Sequence, residues 1–104
     1  MTDDAVTVLI QFQARPGMGE IARRALADLV STVLDEESDC LSIELHQGLD
    51  DPDRLFNIER WTSREAYEGP HMQTPHLQSF IEASGEFLVG PPEITFWRSA
   101  PVEA

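Results

Sequence analysis

The sequence predicts an α+β fold, a ferredoxin-like split βαβ arrangement with element order β-α-β-β-α-β. Three observations predict it. Segments near residues 5–14, 40–48, 54–62 and 93–99 are rich in β-branched and aromatic residues and alternate in polarity. Apolar residues recur at helical spacing between 19 and 37 and again within 71–88. Clusters of Pro, Gly and Asp punctuate the joins. In this order two helices cover one face of a four-stranded antiparallel sheet.

Taken in order, AVTVLIQFQA at 5–14 is a strand with Val6, Val8, Ile10 and Phe12 on one face and Thr7, Leu9, Gln11 and Gln13 on the other. Pro16-Gly17 turns the chain into a helix from Gly19 to Glu37. Its apolar residues Ile21, Ala25, Leu29 and Val33 recur every four positions, flanked by Ala22, Leu26, Val30 and Leu34. That helix ends on Asp35, Glu36 and Glu37, where each exposed negative charge opposes the helix dipole by about 0.3–1 kcal/mol at low salt. A solvated surface is the simplest reading of this acid, and the sequence offers no other reason for it.

The second strand, CLSIELHQG at 40–48, alternates Leu41, Ile43 and Leu45 against Ser42, Glu44 and His46. LDDPD returns the chain as a hairpin into a third strand at about 54–62. Ser63 is placed to N-cap a short helix, SREAYEG, which Gly69-Pro70 breaks. Leu77, Phe80, Ile81, Ala83 and Leu88 predict a further helical segment, with Pro75 tolerable only near a helix start. GPP at 90–92 closes it. EITFWRS at 93–99 is the last strand, with Ile94, Phe96 and Arg98 opposite Thr95 and Trp97, and a loose tail follows. No repeat or linker divides the chain, which reads as one domain over residues 1–104 with a core at about 5–99.

Composition narrows the partners. The 104 residues are 41% hydrophobic, and seven basic against nineteen acidic residues give a net charge of −12. Such a field repels phosphate backbones and anionic lipids, so neither nucleic acid nor membrane is expected as a partner. Cys40 is alone, which excludes an intrachain disulfide. MTDD has neither a basic nor an apolar leader character, and no run approaches membrane-spanning length, so a cytoplasmic protein is expected. Both faces of the first and last strands carry large apolar residues. The face that the helices leave open is therefore expected to meet a second copy, giving a homodimer.

The third strand poses the functional question. Asn57, Glu59 and Trp61 alternate and so share a face where a small domain would place aliphatic residues. With Tyr67, His71 and His76 downstream they form a polar and aromatic set. Trp and Tyr offer flat walls, Asn both donates and accepts, and His takes a phenolic proton near neutral pH. The plainer reading is a Trp closing a small core, a Tyr covering it, and histidines in a turn. His71 and His76 are five apart with Pro75 between them, so one helix face cannot present both. Of the histidines only His46 remains, and Glu44 or Glu59 would have to complete any metal site, so no metal is expected. Phosphate loops, dinucleotide fingerprints, zinc-protease and nucleophile-elbow motifs are absent.

The stretch IERWTSREAYEGPHMQTPHLQSFIEA, 58–83, resembles the antibiotic biosynthesis monooxygenase superfamily of dimeric α+β barrels. The residues that carry the resemblance are Glu59, Trp61, Ser63, His71, Thr74, Pro75 and His76, with ARPG at 14–17 before the first helix. Quinol monooxygenases look nearest, through Gln73-Thr74-Pro75-His76 and Glu82-Ala83. Asn57, Trp61 and Tyr67 also match the spacing of actinorhodin-type polyketide monooxygenases, but no Arg or Lys occurs in 71–89 to match the basic partner of that branch. The haem-degrading branch needs a His near Phe80 and an Asn where this chain has Gln11 and Gln13, so it is disfavoured.

The resemblance implies oxygenation of a small aromatic phenol or hydroquinone by dioxygen as co-substrate, with no other cofactor. It implies Trp61 and Tyr67 as stacking walls, Asn57 on the substrate carbonyl or hydroxyl, and His71 or His76 in proton transfer. A ligand-binding barrel without chemistry stays open, as does an oxygen-independent isomerase or decarboxylase of a small carbonyl compound.

Overall fold

The computed structural model describes residues 4–103; residues 1–3, on which the reading of the N-terminus partly falls, and Ala104 lie outside the described residues. The elements are β1 (Val6–Gln13), α1 (Gly19–Glu36), β2 (Cys40–Gln47), β3 (Arg54–Trp61), α2 (Arg64–Glu68), a 3₁₀ turn (Pro70–Gln73), α3 (Pro75–Ser84) and β4 (Glu93–Trp97). Neighbouring strands are antiparallel in the order β2-β3-β1-β4. This is the expected α+β sheet. Among the described residues, no helix is long and apolar enough to cross a membrane.

Prolines and caps divide the region after β3. Ser63 Oγ accepts from Ala66 N at 3.1 Å and starts α2, as its position predicts. Pro70 opens the 3₁₀ turn, and Pro75 takes the first position of α3, where its missing N–H costs nothing. Thr74 is extended and caps α3 through Leu77 N. Leu88, expected on this helix, instead follows it and bridges Ala14 beside β1.

Val8, Ile10 and Phe12 of β1, and Leu55, Asn57, Glu59 and Trp61 of β3, face the helices and are buried. Helix α1 covers them with Ala22, Leu26 and Val33, while Ile21 is 53% exposed. The physical reason is the helical period. Each four-residue step drifts by about 40°, so the row 21-25-29-33 starts off the sheet at Ile21 and reaches it only at Val33, while Ala22-Leu26-Leu29-Val33 follows it throughout. Strand β2 departs from the expected alternation too. A register shift between Cys40 and Ser42 pairs Cys40 with Trp61 and Ser42 with Arg60. Leu41 is thereby pushed outward to 53% exposure, and Cys40 takes the buried place beneath Trp61.

One long-range contact sets the start of α1. The cap residue Met18 supplies no side-chain acceptor. Asp53, in the β2–β3 hairpin, accepts from Gly19 N at 2.9 Å and from Gly17 N at 3.0 Å. Gly17 has φ of 78°, the left-handed conformation that the Pro16-Gly17 turn requires. Gly19 is buried against the hairpin backbone, where an added Cβ would overlap the Pro52 carbonyl. Gly19→Ala is therefore expected to cost about 1–3 kcal/mol in chemical denaturation through overpacking, although Ala is the better helix former.

Candidate active site

Between the covered face of the sheet and the helices lies a cavity of about 670 Å³, within the range of small-molecule sites. Ile10 and Phe12 of β1, Ile43 of β2 and Ile94 of β4 lay the apolar part of the floor. Leu29, Val30 and Val33 of α1 and Leu77, Phe80 and Ile81 of α3 form the walls and roof. No residue of α3 is fully buried, and Leu77, Phe80 and Ile81 on its inner side line this space. Polar groups enter at one end, from Asn57, Glu59, Tyr67 and His71. Arg15, from the β1–α1 turn, also lines the cavity, with its Nε donating to Gly85 O at 3.0 Å.

Strand β3 delivers the polar floor. Asn57 stands between Ile10 and Leu45, and Glu59 between Val8 and Ile43. Glu59 Oε2 accepts from Asn57 Nδ2 at 3.1 Å, and Oε1 accepts from Trp61 Nε1 at 2.9 Å. Burial pushes the Glu59 carboxyl above the ordinary carboxylate range; its two donors oppose that shift, and the Glu37 charge adds to it. Asn57 is 3% exposed, and its Oδ1 has no hydrogen-bond partner among the described residues. Such an orphaned acceptor is uncommon in a folded interior.

Trp61 is fully enclosed and does not line the cavity. That corrects its expected place as a wall for a flat ligand. Its ring lies 5.5 Å from Tyr67, edge-on, and 4.5 Å from His71, so it backs the two rings that do reach the cavity. Tyr67 packs edge-on to Phe96 at 5.6 Å, and burial with the nearby Glu59 charge pushes its phenol well above its usual pKa.

The two histidines converge through a residue that no sequence pattern singles out. Glu37, the C-cap of α1, faces His71 Nδ1 at 2.9 and 3.0 Å and His76 Nε2 at 2.7 Å. His71 comes from the 3₁₀ turn and His76 from α3, so no single helix face presents both, as their spacing requires. His71 lines the cavity; His76 lies on the outer side of the bridge, against a shallow groove with Asp28 and Thr32. Burial pulls the His71 pKa below its usual value, and the Glu37 carboxylate opposes that shift. Neighbouring Asp35 and Glu36 are exposed, so the solvated reading holds for them but fails for Glu37. Helical periodicity could not flag Glu37, because its partners lie 34 and 39 residues away.

His46 is elsewhere, on the open face of the sheet, stacked on Phe56 at 4.8 Å. Among the described residues, no three His, Cys, Asp or Glu side chains are grouped to hold a metal ion. Burial raises the Cys40 thiol to about 12, with Glu59 and Glu37 adding to the shift, so it is a packing residue with little thiolate at neutral pH.

Glu59 makes stability depend on pH with a definite sign. Its folded pKa lies above the ordinary value of 4.5, so above that pH the folded state retains a proton that the unfolded state releases. Stability from this group therefore falls as pH rises from about 4.5 toward the folded value. Glu59→Gln is expected to flatten that fall in thermal melts taken from pH 4 to 8, with Asn57 rotating its amide to complement the new one.

The family model for antibiotic biosynthesis monooxygenases matches residues 5–83. The chain is 33% identical over 90 residues to Rv0793 of Mycobacterium tuberculosis, provisionally named a monooxygenase, covering 86% of each protein. The solved structure of Rv0793 superimposes with a TM-score of 0.77 at 28% identity, covering 96% of this chain and 97% of that one. PA3566 of Pseudomonas aeruginosa superimposes with a TM-score of 0.85 at 27% identity, covering 97% of this chain and 99% of that one. The chain belongs to the antibiotic biosynthesis monooxygenase family.

Proposed function

We propose that this protein is a cofactor-independent monooxygenase that oxidises a small aromatic phenol or hydroquinone with dioxygen, in the manner of the quinol branch of its family. The observation that carries the reading is the orphaned Asn57 Oδ1 on the wall of an otherwise apolar cavity. An unpaired buried acceptor is satisfied by a ligand hydroxyl, and the apolar walls suit a flat ring around it. In this reading Asn57 holds the substrate hydroxyl and Tyr67 lies along the ring. His71 removes the phenolic proton. The resulting anion adds dioxygen at a ring carbon that bears hydrogen. Protonation yields a hydroperoxide, and loss of water leaves a carbonyl, so one oxygen atom enters the product and the other leaves as water. The protein's part is orientation, exclusion of water and hydrogen bonding to the developing anion. Trp61 serves this site from behind by holding Glu59, and Arg15 is the cation at the cavity wall in place of the basic residue absent from the second helical segment.

The test is oxygen uptake by metal-stripped protein with naphthoquinols, anthrones and catechols. Uptake above autoxidation is expected, falling at least tenfold in Asn57→Ala and His71→Ala. Ligand binding without uptake would favour a binding module, and turnover under argon an isomerase or decarboxylase.

The same reading places the protein in the cytoplasm as a homodimer closed through its open sheet face, where Leu9, Phe56, Ile58 and Trp97 lie and Trp97 is 56% exposed. Size-exclusion chromatography with light scattering is expected to return twice the chain mass at micromolar concentration, and Trp97→Glu to return the monomer.

A further inference from the structure

We infer that Glu37 is a positioning residue for His71: by holding Nδ1–H, it leaves His71 Nε2 unprotonated on the cavity side as the proton acceptor. Three observations carry this. The Glu37 carboxylate meets His71 Nδ1 with both oxygens, at 2.9 and 3.0 Å. A carboxylate only accepts, so the ring nitrogen facing it carries the hydrogen, and in the neutral ring the other nitrogen is the base. His71 lines the cavity, and its Nε2 makes no hydrogen bond to another described residue.

His76 completes the device from outside. Its Nε2 donates to Glu37 Oε2 at 2.7 Å, fixing the carboxylate between the two rings. The side chains of Glu37 and His76 are 11% and 18% exposed, against 5% for His71, so the bridge runs from the cavity toward solvent. Once His71 takes a proton at Nε2, the imidazolium is stabilised by the adjacent carboxylate. Its Nδ1–H remains donated to Glu37, and His76 lies at the more exposed end of the bridge. The other titratable groups around this bridge are Glu59 of β3, Tyr67 of α2 and the Cys40 thiol of β2. None of them is hydrogen-bonded to either histidine or to Glu37.

The identity of the proton donor rests on the proposed oxidation; the tautomer of His71 does not. The experiment therefore has two arms. Long-range ¹H–¹⁵N correlation spectra of the full chain between pH 5 and 8 report which nitrogen of His71 is protonated and at what pH the ring titrates. The wild type is expected to show the Nδ1–H tautomer. Glu37→Gln can still accept from Nδ1–H but lacks the charge, so its His71 is expected to titrate at lower pH. Oxygen uptake by the same variant is expected to fall about 10- to 100-fold in kcat with KM little changed, the acid limb of its pH profile moving to lower pH. An Nε2–H tautomer in the wild type would overturn the inference, as would an unshifted titration in Glu37→Gln. An unchanged kcat and pH profile in an active Glu37→Gln would also overturn it. If no compound of the panel is oxidised by the wild type, the spectra still decide the inference while the oxidation fails on its own.

Discussion

The roof of the cavity is held by polar contacts as well as by packing. Helix α3 buries none of its residues completely, so hydrophobic contact alone does not seat it. The bridge from the end of α1 through Glu37 to His71 and His76 ties the roof to the most deeply packed helix. Partly buried, charge-assisted hydrogen bonds of this kind contribute about 1.5–3 kcal/mol each, whereas exposed ion pairs contribute about 0–1 kcal/mol. The exposed pairs Arg23–Glu20 and Arg64–Glu68 belong to the second class. A negative charge at a helix C-terminus is unfavourable by itself, and here the two ring N–H donors offset it.

The floor follows a related logic. Placing Asn57 and Glu59 where β3 faces the helices costs desolvation, which the Trp61 and Asn57 donors reduce. The arrangement is incomplete on one atom, Asn57 Oδ1. A fold optimised only for stability would fill these positions with aliphatic side chains, as it does at Val8 and Ile10 across the ladder. The cost is concentrated at two residues that line the cavity, and local rules are commonly broken at functional sites.

Family membership constrains chemistry less than it constrains the backbone. The same sheet and helices can carry a reactive pocket or a passive one. What bears on chemistry in this chain is the set of polar groups on the cavity lining: an orphaned amide oxygen, a buried carboxyl with raised pKa, and a histidine backed by a carboxylate, its pKa lowered by burial. Arg15, from the β1–α1 turn, is the cationic side chain among the cavity-lining residues.

The sequence by itself determined the element order, the antiparallel sheet with one covered face, the start of α2 at Ser63 and the restriction of Pro75 to a helix start. These features follow from interactions within a few residues: strand alternation, helical period, side-chain capping and the missing proline N–H. It also placed Asn57, Glu59 and Trp61 on one face. Only the tertiary structure decided which of these reach the cavity, and it enclosed Trp61 while leaving Asn57 and Glu59 on the wall. It likewise decided that Cys40 rather than Leu41 lies inward, that Asp53 caps α1, and that Glu37 joins two histidines. The physical reason is common to all of them. Each depends on groups brought together from distant parts of the chain, and neither periodicity nor propensity carries information about which partner a side chain will meet across such a distance.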